Sequence, residues 1–406
     1  MQLMGAFPAL SLALAGLLVL TSSMQPASRR GLAMALVALA LVVGIAGLAA
    51  VGKAEISAPR SGKNSWLLWC LLGVLLFLHA GFAISLIRAH DNDATGQGEF
   101  SISDPRRIDC YTFQRDAAKD LTQGGNPYGA TRANIYDPTE TKLYYGPGLV
   151  VNGRVQVGFQ YPPVTLLCAL GGYLAGDVRY GYIAVTMLSA LFAFAMAPDK
   201  RGLCLAAFIL LSPATQFVEA RSWTESLVWM LLCATVYAAV KRPRWLPLAL
   251  GLFLASKQYN FLALPLVGLP VQPFTWKGYW KLLGLSLAVA VATVLPFAVL
   301  NFGALWHDLV LFHLQQPLRP DAFSFAILFP LYMKIGPLLL LAFIVWILRR
   351  GPHRAGVFAA AYGIALLLFV SGSKQAFPNY YFLIAQSLLL AATALWPAAQ
   401  PRIAQC

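Results

Sequence analysis

The chain returns again and again to apolar stretches of bilayer-crossing length. Runs near residues 3–21, 31–51, 65–87, 178–197, 201–217, 222–240, 280–301, 323–348, 354–372 and 379–397 carry few charges, and a spanning helix needs about 20 mostly apolar residues. Composition agrees, with 59% hydrophobic and 11% charged residues in 406 against about 25% charged in soluble domains. Soluble multidomain enzymes, coiled coils and disordered proteins are thereby excluded. The expectation is an all-α polytopic membrane protein of about twelve transmembrane helices. The first run, from Gly5 to Leu20, lacks the positive start of a cleaved signal peptide and reads as a retained span.

A net charge of +14 would suggest nucleic acid in a soluble protein. The basic residues, however, sit in short clusters between apolar runs, as in Lys200-Arg201, Lys241-Arg242-Pro243-Arg244 and Arg349-Arg350. That placement fits anchors on the cytoplasmic face. With loops 52–63, 198–202, 241–244, 272–281 and 349–354 inside, each carries two or three Lys or Arg. The long polar region 88–160 then lies outside, provided that the apolar stretch Tyr161 to Ala175, which opens on Pro162-Pro163, rests in the outer interface rather than crossing.

The interval 245–271 is interrupted by Ser256-Lys257-Gln258. It reads either as two short helices meeting at a polar turn, with Lys257 held partway across the membrane, or as one long helix with a snorkelling lysine. The acids show a strong asymmetry: inside there are only Glu55 and Asp199, whereas the outer face holds most of those between residues 91 and 140 together with Glu219, Glu225, Asp308 and Asp321.

The segment from Asp109 to Tyr128 reads as a short amphipathic helix ended by Gly124-Gly125 and Asn126-Pro127. Asp109 falls at its N-cap, where free backbone N–H groups and the helix dipole favour a carboxylate. A plain cap and a general base at the membrane surface both fit that position. The six cysteines form no CxxC pair, so neither a zinc site nor a redox motif is supported. P-loop, HExxH and GxSxG patterns are absent, and no spacing argues for a metal, though the acidic loop leaves a divalent ion possible.

Asp109 two residues before Tyr111, an alanine pair, Gly-Gly-Asn-Pro-Tyr128 and, after a spacer, Phe159-Gln-Tyr161-Pro-Pro163 together resemble the first outer loop of membrane glycosyltransferases of the GT-C class. Leu211-Ser-Pro213 leading to Glu219-Ala-Arg221-Ser-Trp-Thr-Glu225, Leu254-Ala-Ser-Lys257-Gln258-Tyr259 and Asn379-Tyr380-Tyr381 extend the likeness from about Leu67 to Leu390. It is nearest to glycosyltransferase family 87, whose mannosyltransferases use polyprenol-phosphate-mannose and lipid-linked acceptors. Two N-terminal spans and an insertion at 89–108 depart from that pattern. The insertion brings the rival acids Asp91, Asp93, Glu99 and Asp104, while Asp116 and Asp120 share the helix with Asp109.

The resemblance implies a GT-C-like bundle with a long extracytoplasmic catalytic loop. The implied enzyme moves a sugar, with mannose the family's choice, from a polyprenyl-phosphate donor to a lipid-linked or envelope glycan acceptor. Asp109 matches the catalytic base. Lys257, Arg319, Gln258 and His313 are candidates for the donor phosphate, since cations and hydrogen-bond donors must meet the charge of the leaving group. Glu219, Arg221, Glu225, Tyr128, Tyr161, Lys374, Asn379 and Tyr380 are candidates for placing acceptor or sugar. Each also has an ordinary reading: an ion pair for Arg221, a favoured helix N-terminus for Glu225, a headgroup-contacting loop for Arg319, and interfacial anchoring for the tyrosines.

The expected organisation is two additional N-terminal spans in 1–64, a catalytic unit over 65–397 with an outer loop at 88–177, and a short cytoplasmic tail at 398–406. The expected location is the plasma (inner) membrane, with the site facing the periplasm or cell exterior. Partners are the lipid-linked donor, a glycolipid or glycan acceptor and membrane lipids, with no nucleic acid and no soluble cofactor. The competing function is a transporter or flippase of a lipid-linked or small solute, which broken helices and midplane charge also suit.

Overall fold

A computed structural model describes Val42, residues 65–92 and 104–395. Apart from Val42, the two expected N-terminal spans lie outside the described residues, as do the loop 52–63, the rival acids Asp93 and Glu99, the tail 398–406 and the side chain of Asp91.

The apolar runs fold into helices at nearly the expected positions. They are α1 (Ser65–Asn92), α5 (Val178–Met196), α6 (Lys200–Leu211), α7 (Pro213–Ala220), α8 (Glu225–Lys241), α9 (Leu246–Leu254), α10 (Trp276–Trp306), α11 (Tyr332–Arg350), α12 (Ala355–Val370) and α13 (Pro378–Leu395). Pro213 removes a ladder donor, and α6 and α7 bend there by 48°. The region expected to lie outside contributes α2 (Asp109–Thr122), α3 (Pro138–Tyr144) and α4 (Pro163–Leu174). The last has 12 residues and reaches about 18 Å at 1.5 Å per residue, well short of a bilayer core.

By length and composition, four helices among the described residues can cross a membrane, or five if the bent α6–α7 pair counts as one. The remaining helices of the bundle are shorter or more enclosed. All of α12 except Phe369 is buried, and α8 and α13 pack beside it as part of the same core. Helices enclosed by protein rather than lipid need not match the hydrocarbon thickness. The expected run 323–348 also starts late, because 325–328 forms a separate turn of helix before α11.

The all-α expectation needs one correction. A small antiparallel sheet in strand order β1-β3-β2 joins β1 (Arg132–Ala133), β2 (Val150–Val151) and β3 (Arg154–Val155), with Val150 opposite Val155 and Arg132 opposite Val155. Asn152 and Gly153 connect β2 to β3, both with positive φ of 51° and 70°, as a two-residue hairpin of this twist requires.

The interval 245–271 takes the form of two short helices. After α9, Lys257 has extended backbone, and a 3-10 helix follows over Gln258–Gly268. The pair is a hairpin that enters and leaves at one end of the bundle. At its tip Lys257 meets Thr224 and Glu225, at the start of α8. At its base the Gly268 carbonyl accepts from His353 Nδ1 at 2.9 Å, just before α12. Gly251 lets α9 lie against α10, since a Cβ there would come within 2.5 Å of the Ser286 carbonyl oxygen.

Candidate active site

One end of the bundle gathers the outer loop, the hairpin tip, the start of α8, the end of α10 and the start of α13. Helix α2 is fixed there by its buried face. Cys110 Sγ and Gln114 Nε2 donate to the Ser222 carbonyl at 3.1 and 2.7 Å, Tyr182 donates to Gln114 Oε1, and Tyr111 donates to Asp177 Oδ2 at 3.1 Å. Ser222 itself sits in the left-handed region at φ 53°, which turns its carbonyl toward α2.

Asp109 occupies the first helical position rather than the cap, which is Ile108. Its Oδ1 accepts from the Cys110 N–H at 2.7 Å and its Oδ2 from Tyr145 Oη at 3.2 Å, while its own N–H donates to Tyr136 Oη at 3.1 Å. Burial pushes its carboxyl above the usual aspartate range, opposed by the Cys110 hydrogen bond and by the charge of Arg319.

The surrounding acids are differently placed. Asp104, Asp116, Asp120, Glu140, Asp177 and Asp321 pair respectively with Arg106, Arg115, Arg132, Arg107, Arg179 and Arg319 at 2.6–2.8 Å. Asp137 caps α3 in a capping box with Glu140. Among the described residues of the outer loop, Asp109 is the half-buried carboxylate without an ion pair. Its rivals Asp104, Asp116 and Asp120 are each neutralised by a guanidinium.

Lys257 lies close by. Its Nζ is 3.3 Å from Glu225 Oε1, donates to Thr224 Oγ1 and stands 4.2 Å over the Tyr161 ring. Tyr161 Oη in turn donates to Cys110 Sγ at 3.3 Å, so one aromatic ring separates the lysine from the residue next to Asp109. Glu225 also accepts from Tyr259 Oη at 3.2 Å, and Tyr259 stacks edge-on against Tyr380 at 5.6 Å. Glu225 Oε2 is buried without a hydrogen-bond partner. Burial pushes the Cys110 thiol up to about 12, which keeps it protonated and unreactive as a nucleophile.

Other expected residues are employed differently. Gln258 Nε2 donates to the Gln160 carbonyl at 2.7 Å and lies 3.0 Å from His313 Nε2, which is 2.9 Å from the same carbonyl. Both side chains thus lock the segment 159–161 to the hairpin tip and to the helical segment 307–315 that follows α10. The Arg319 fork is spent on Asp321 at 2.7 and 2.6 Å, with its face over Tyr144 at 4.0 Å. In this arrangement Nε and Nη2, the pair suited to a bidentate grip, are both turned to Asp321. Burial opposes its charge, but Asp321 outweighs that and holds it above the ordinary arginine value.

Arg221 does not pair with Glu219. It lies 3.8 Å over the Phe217 ring, while Glu219 pairs with His79 of α1 at 3.1 Å. His79 is a residue that sequence reasoning passed over, although a polar side chain within an apolar span is itself a signal. Lys374 donates to the Leu314 and Gln316 carbonyls at 3.2 and 3.3 Å, Tyr128 donates to the Tyr161 carbonyl at 2.8 Å, and Asn379 is buried with Oδ1 unpartnered.

Asp308 was legible only as one more outer acid. The structure makes it the clasp of the loop: Oδ2 accepts from the N–H groups of Gly129, Gly158 and Phe159 at 3.1, 2.9 and 3.0 Å, and the side chain is fully buried. Gly158 is required for this, because a Cβ there would lie 2.1 Å from the Pro127 carbonyl oxygen.

Among the described residues no group of three or more His, Cys, Asp or Glu is placed to hold a metal ion. No family model matches the chain, and no curated protein matches it. Among solved structures it is similar to the crystal structure of ArnT from Cupriavidus metallidurans bound to undecaprenyl phosphate, at 18% identity and a TM-score of 0.48. The match covers 82% of this chain and 60% of that one, so this chain spans about three-fifths of its length.

Proposed function

We propose that the chain is a membrane glycosyltransferase of the GT-C kind, moving a sugar from a polyprenyl-phosphate donor to a lipid-linked or envelope glycan acceptor. What carries the reading is the exception at Asp109: ion pairs engage its acidic neighbours, while it retains acceptor capacity, and one aromatic ring lies between its neighbour Cys110 and a buried lysine. The resemblance of the Asp109, Pro162-Pro163 and Ser256-Lys257-Gln258 motifs supports the same assignment. Mannose is the sugar that this resemblance implies, and the plasma membrane with an outward-facing site is the location that the basic loops favour.

In this reaction the acceptor hydroxyl gives its proton to Asp109 as its oxygen bonds to the anomeric carbon. The bond from that carbon to the donor phosphate breaks, and the electron pair leaves on the polyprenyl phosphate. Lys257 balances the growing charge by exchanging part of its contact with Glu225 for the phosphate. Tyr145 and the Cys110 N–H hold the carboxylate in its aim, and Thr224 and Glu225 hold the lysine. Tyr161 and Tyr380 offer faces for the sugar.

The test is transfer by purified protein in lipid nanodiscs, from radiolabelled polyprenyl-phosphate sugars to lipid acceptors. Product formation that Asp109→Asn abolishes supports the assignment. Undiminished transfer by that variant removes Asp109 as the base. Failure with every donor, together with donor movement across liposomes, favours a flippase, a reading that the charged hairpin tip also accommodates.

A further inference from the structure

The opposite end of the bundle holds a second, unrelated site. A cavity of about 730 Å³ opens there among the end of α5, the starts of α6, α9, α10 and α12, and the ends of α8 and α13. Its volume falls in the range of about 300–1,000 Å³ typical of ligand pockets. Leu246, Leu282 and Leu285 form part of an apolar wall, while Arg201, Lys281 and Arg354 stand around it.

The cations are unevenly engaged. Arg201 pairs with Asp199 at 2.6 Å. Neither Lys281 nor Arg354 has an ion pair among the described residues, and Arg354 Nη1 is buried without a hydrogen-bond partner. Around the cavity Lys241, Arg242, Arg244, Lys277, Arg349 and Arg350 add positive charge, with Asp199 the acid at this end among the described residues.

A buried guanidinium nitrogen with no partner is costly, and an anionic oxygen is the complement it lacks. The apolar wall requires that this anion be attached to hydrocarbon. We infer that this cavity binds the phosphate headgroup of an anionic membrane lipid, with the phosphate on Lys281 and Arg354 and an acyl chain along the leucines of α9 and α10. The site is separate from Asp109 and does not depend on the transfer reaction. Because α9 forms one leg of the hairpin, the lipid rests against the element whose tip is Lys257.

Two measurements decide it, both on the full chain. First, native mass spectrometry of detergent-purified protein titrated with phosphatidylglycerol or phosphatidylcholine should show one retained phosphatidylglycerol and no equivalent phosphatidylcholine. Lys281→Gln and Arg354→Gln should each weaken retention by about tenfold, the worth of a charge-assisted hydrogen bond. Equal retention of both lipids, or a double variant that binds like wild type, overturns the proposal.

Second, a photoactivatable phosphatidylglycerol should label wild-type protein within residues 239–247 or 281–285, which needs no variant to fold. Labelling elsewhere only overturns the site. Loss of labelling in excess inorganic phosphate transfers the site to a soluble anion and overturns the lipid.

Discussion

Asp308 and Asp109 sit in neighbouring regions of the same end of the bundle, and their surroundings differ in kind. Asp308 is fully buried against three backbone N–H groups of residues 129, 158 and 159, with His307 on its other oxygen. Both of its oxygens are thus engaged, Oδ2 by three donors whose positions the backbone fixes. Asp109 receives one N–H from the next residue and one tyrosine hydroxyl at 3.2 Å, and burial makes its ionised form expensive. A carboxylate that builds structure is saturated, whereas one that does chemistry is left with capacity that only a substrate fills. The contrast separates two acids that look alike in the sequence.

The largest expected effect tests the unsaturated member. Asp109→Asn should lower the transfer rate by about 10²–10⁴-fold, the usual worth of a general base, with no loss of thermal stability in detergent. A drop smaller than threefold would place the base elsewhere. Next, Lys257→Met leaves Glu225 charged, buried and unpaired, and should cost about 3–5 kcal/mol of stability. Adding Glu225→Gln should restore melting without restoring transfer. If the double variant regains transfer, Lys257 has no part in the chemistry.

Asp308→Ala should cost about 3 kcal/mol, since it strands three backbone donors, and the loss should appear as protease cleavage within 126–160 before global melting. An unchanged digestion pattern would deny it the clasp role.

The subtler expectation concerns pH. The Asp109 pKa is raised in the folded protein, so its protonated form is the one that folding favours. That stabilising contribution is fully present below the unfolded value of about 3.8 and is lost as pH rises through the folded value. Asp109→Asn should therefore melt higher than wild type at neutral pH, the gap closing as pH falls. The acid limb of the transfer profile should also lie above the ordinary aspartate range. The smallest effect belongs to the Arg107–Glu140 pair. Its carboxyl is held low by the Arg107 hydrogen bonds, so its contribution is present above the unfolded value and lost as pH falls through the folded one. For so peripheral a pair Glu140→Gln should cost no more than about 0.5 kcal/mol.

Much of the scaffold was legible because hydrophobic runs and helix stops are local. The Gly124-Gly125 stop, the interruption at Ser256-Lys257-Gln258 and most helix limits need only near neighbours in the chain. The Asn152-Gly153 hairpin between Val150-Val151 and Arg154-Val155 was equally local, but the helical expectation for the loop hid it. The long-range pairing of side chains was not legible. The Arg107–Glu140 and Arg132–Asp120 pairs and the turn of Glu219 toward His79 rather than Arg221 depend on contacts between distant segments, whereas Arg319 and Asp321 are two residues apart and their pairing is local. Motif likeness singled out Asp109, but not the reason it stands apart from Asp104, Asp116 and Asp120, which lies in their partners.

The hairpin 246–268 also changes how sidedness has to be counted. Because its two legs return to the end from which they started, with Gly268 beside His353, the segment contributes nothing to the parity of crossings. Reporter fusions ending after Arg242 and after Gln272 should therefore emerge in the same compartment, and any scheme that scores this stretch as a single passage inverts everything downstream of it.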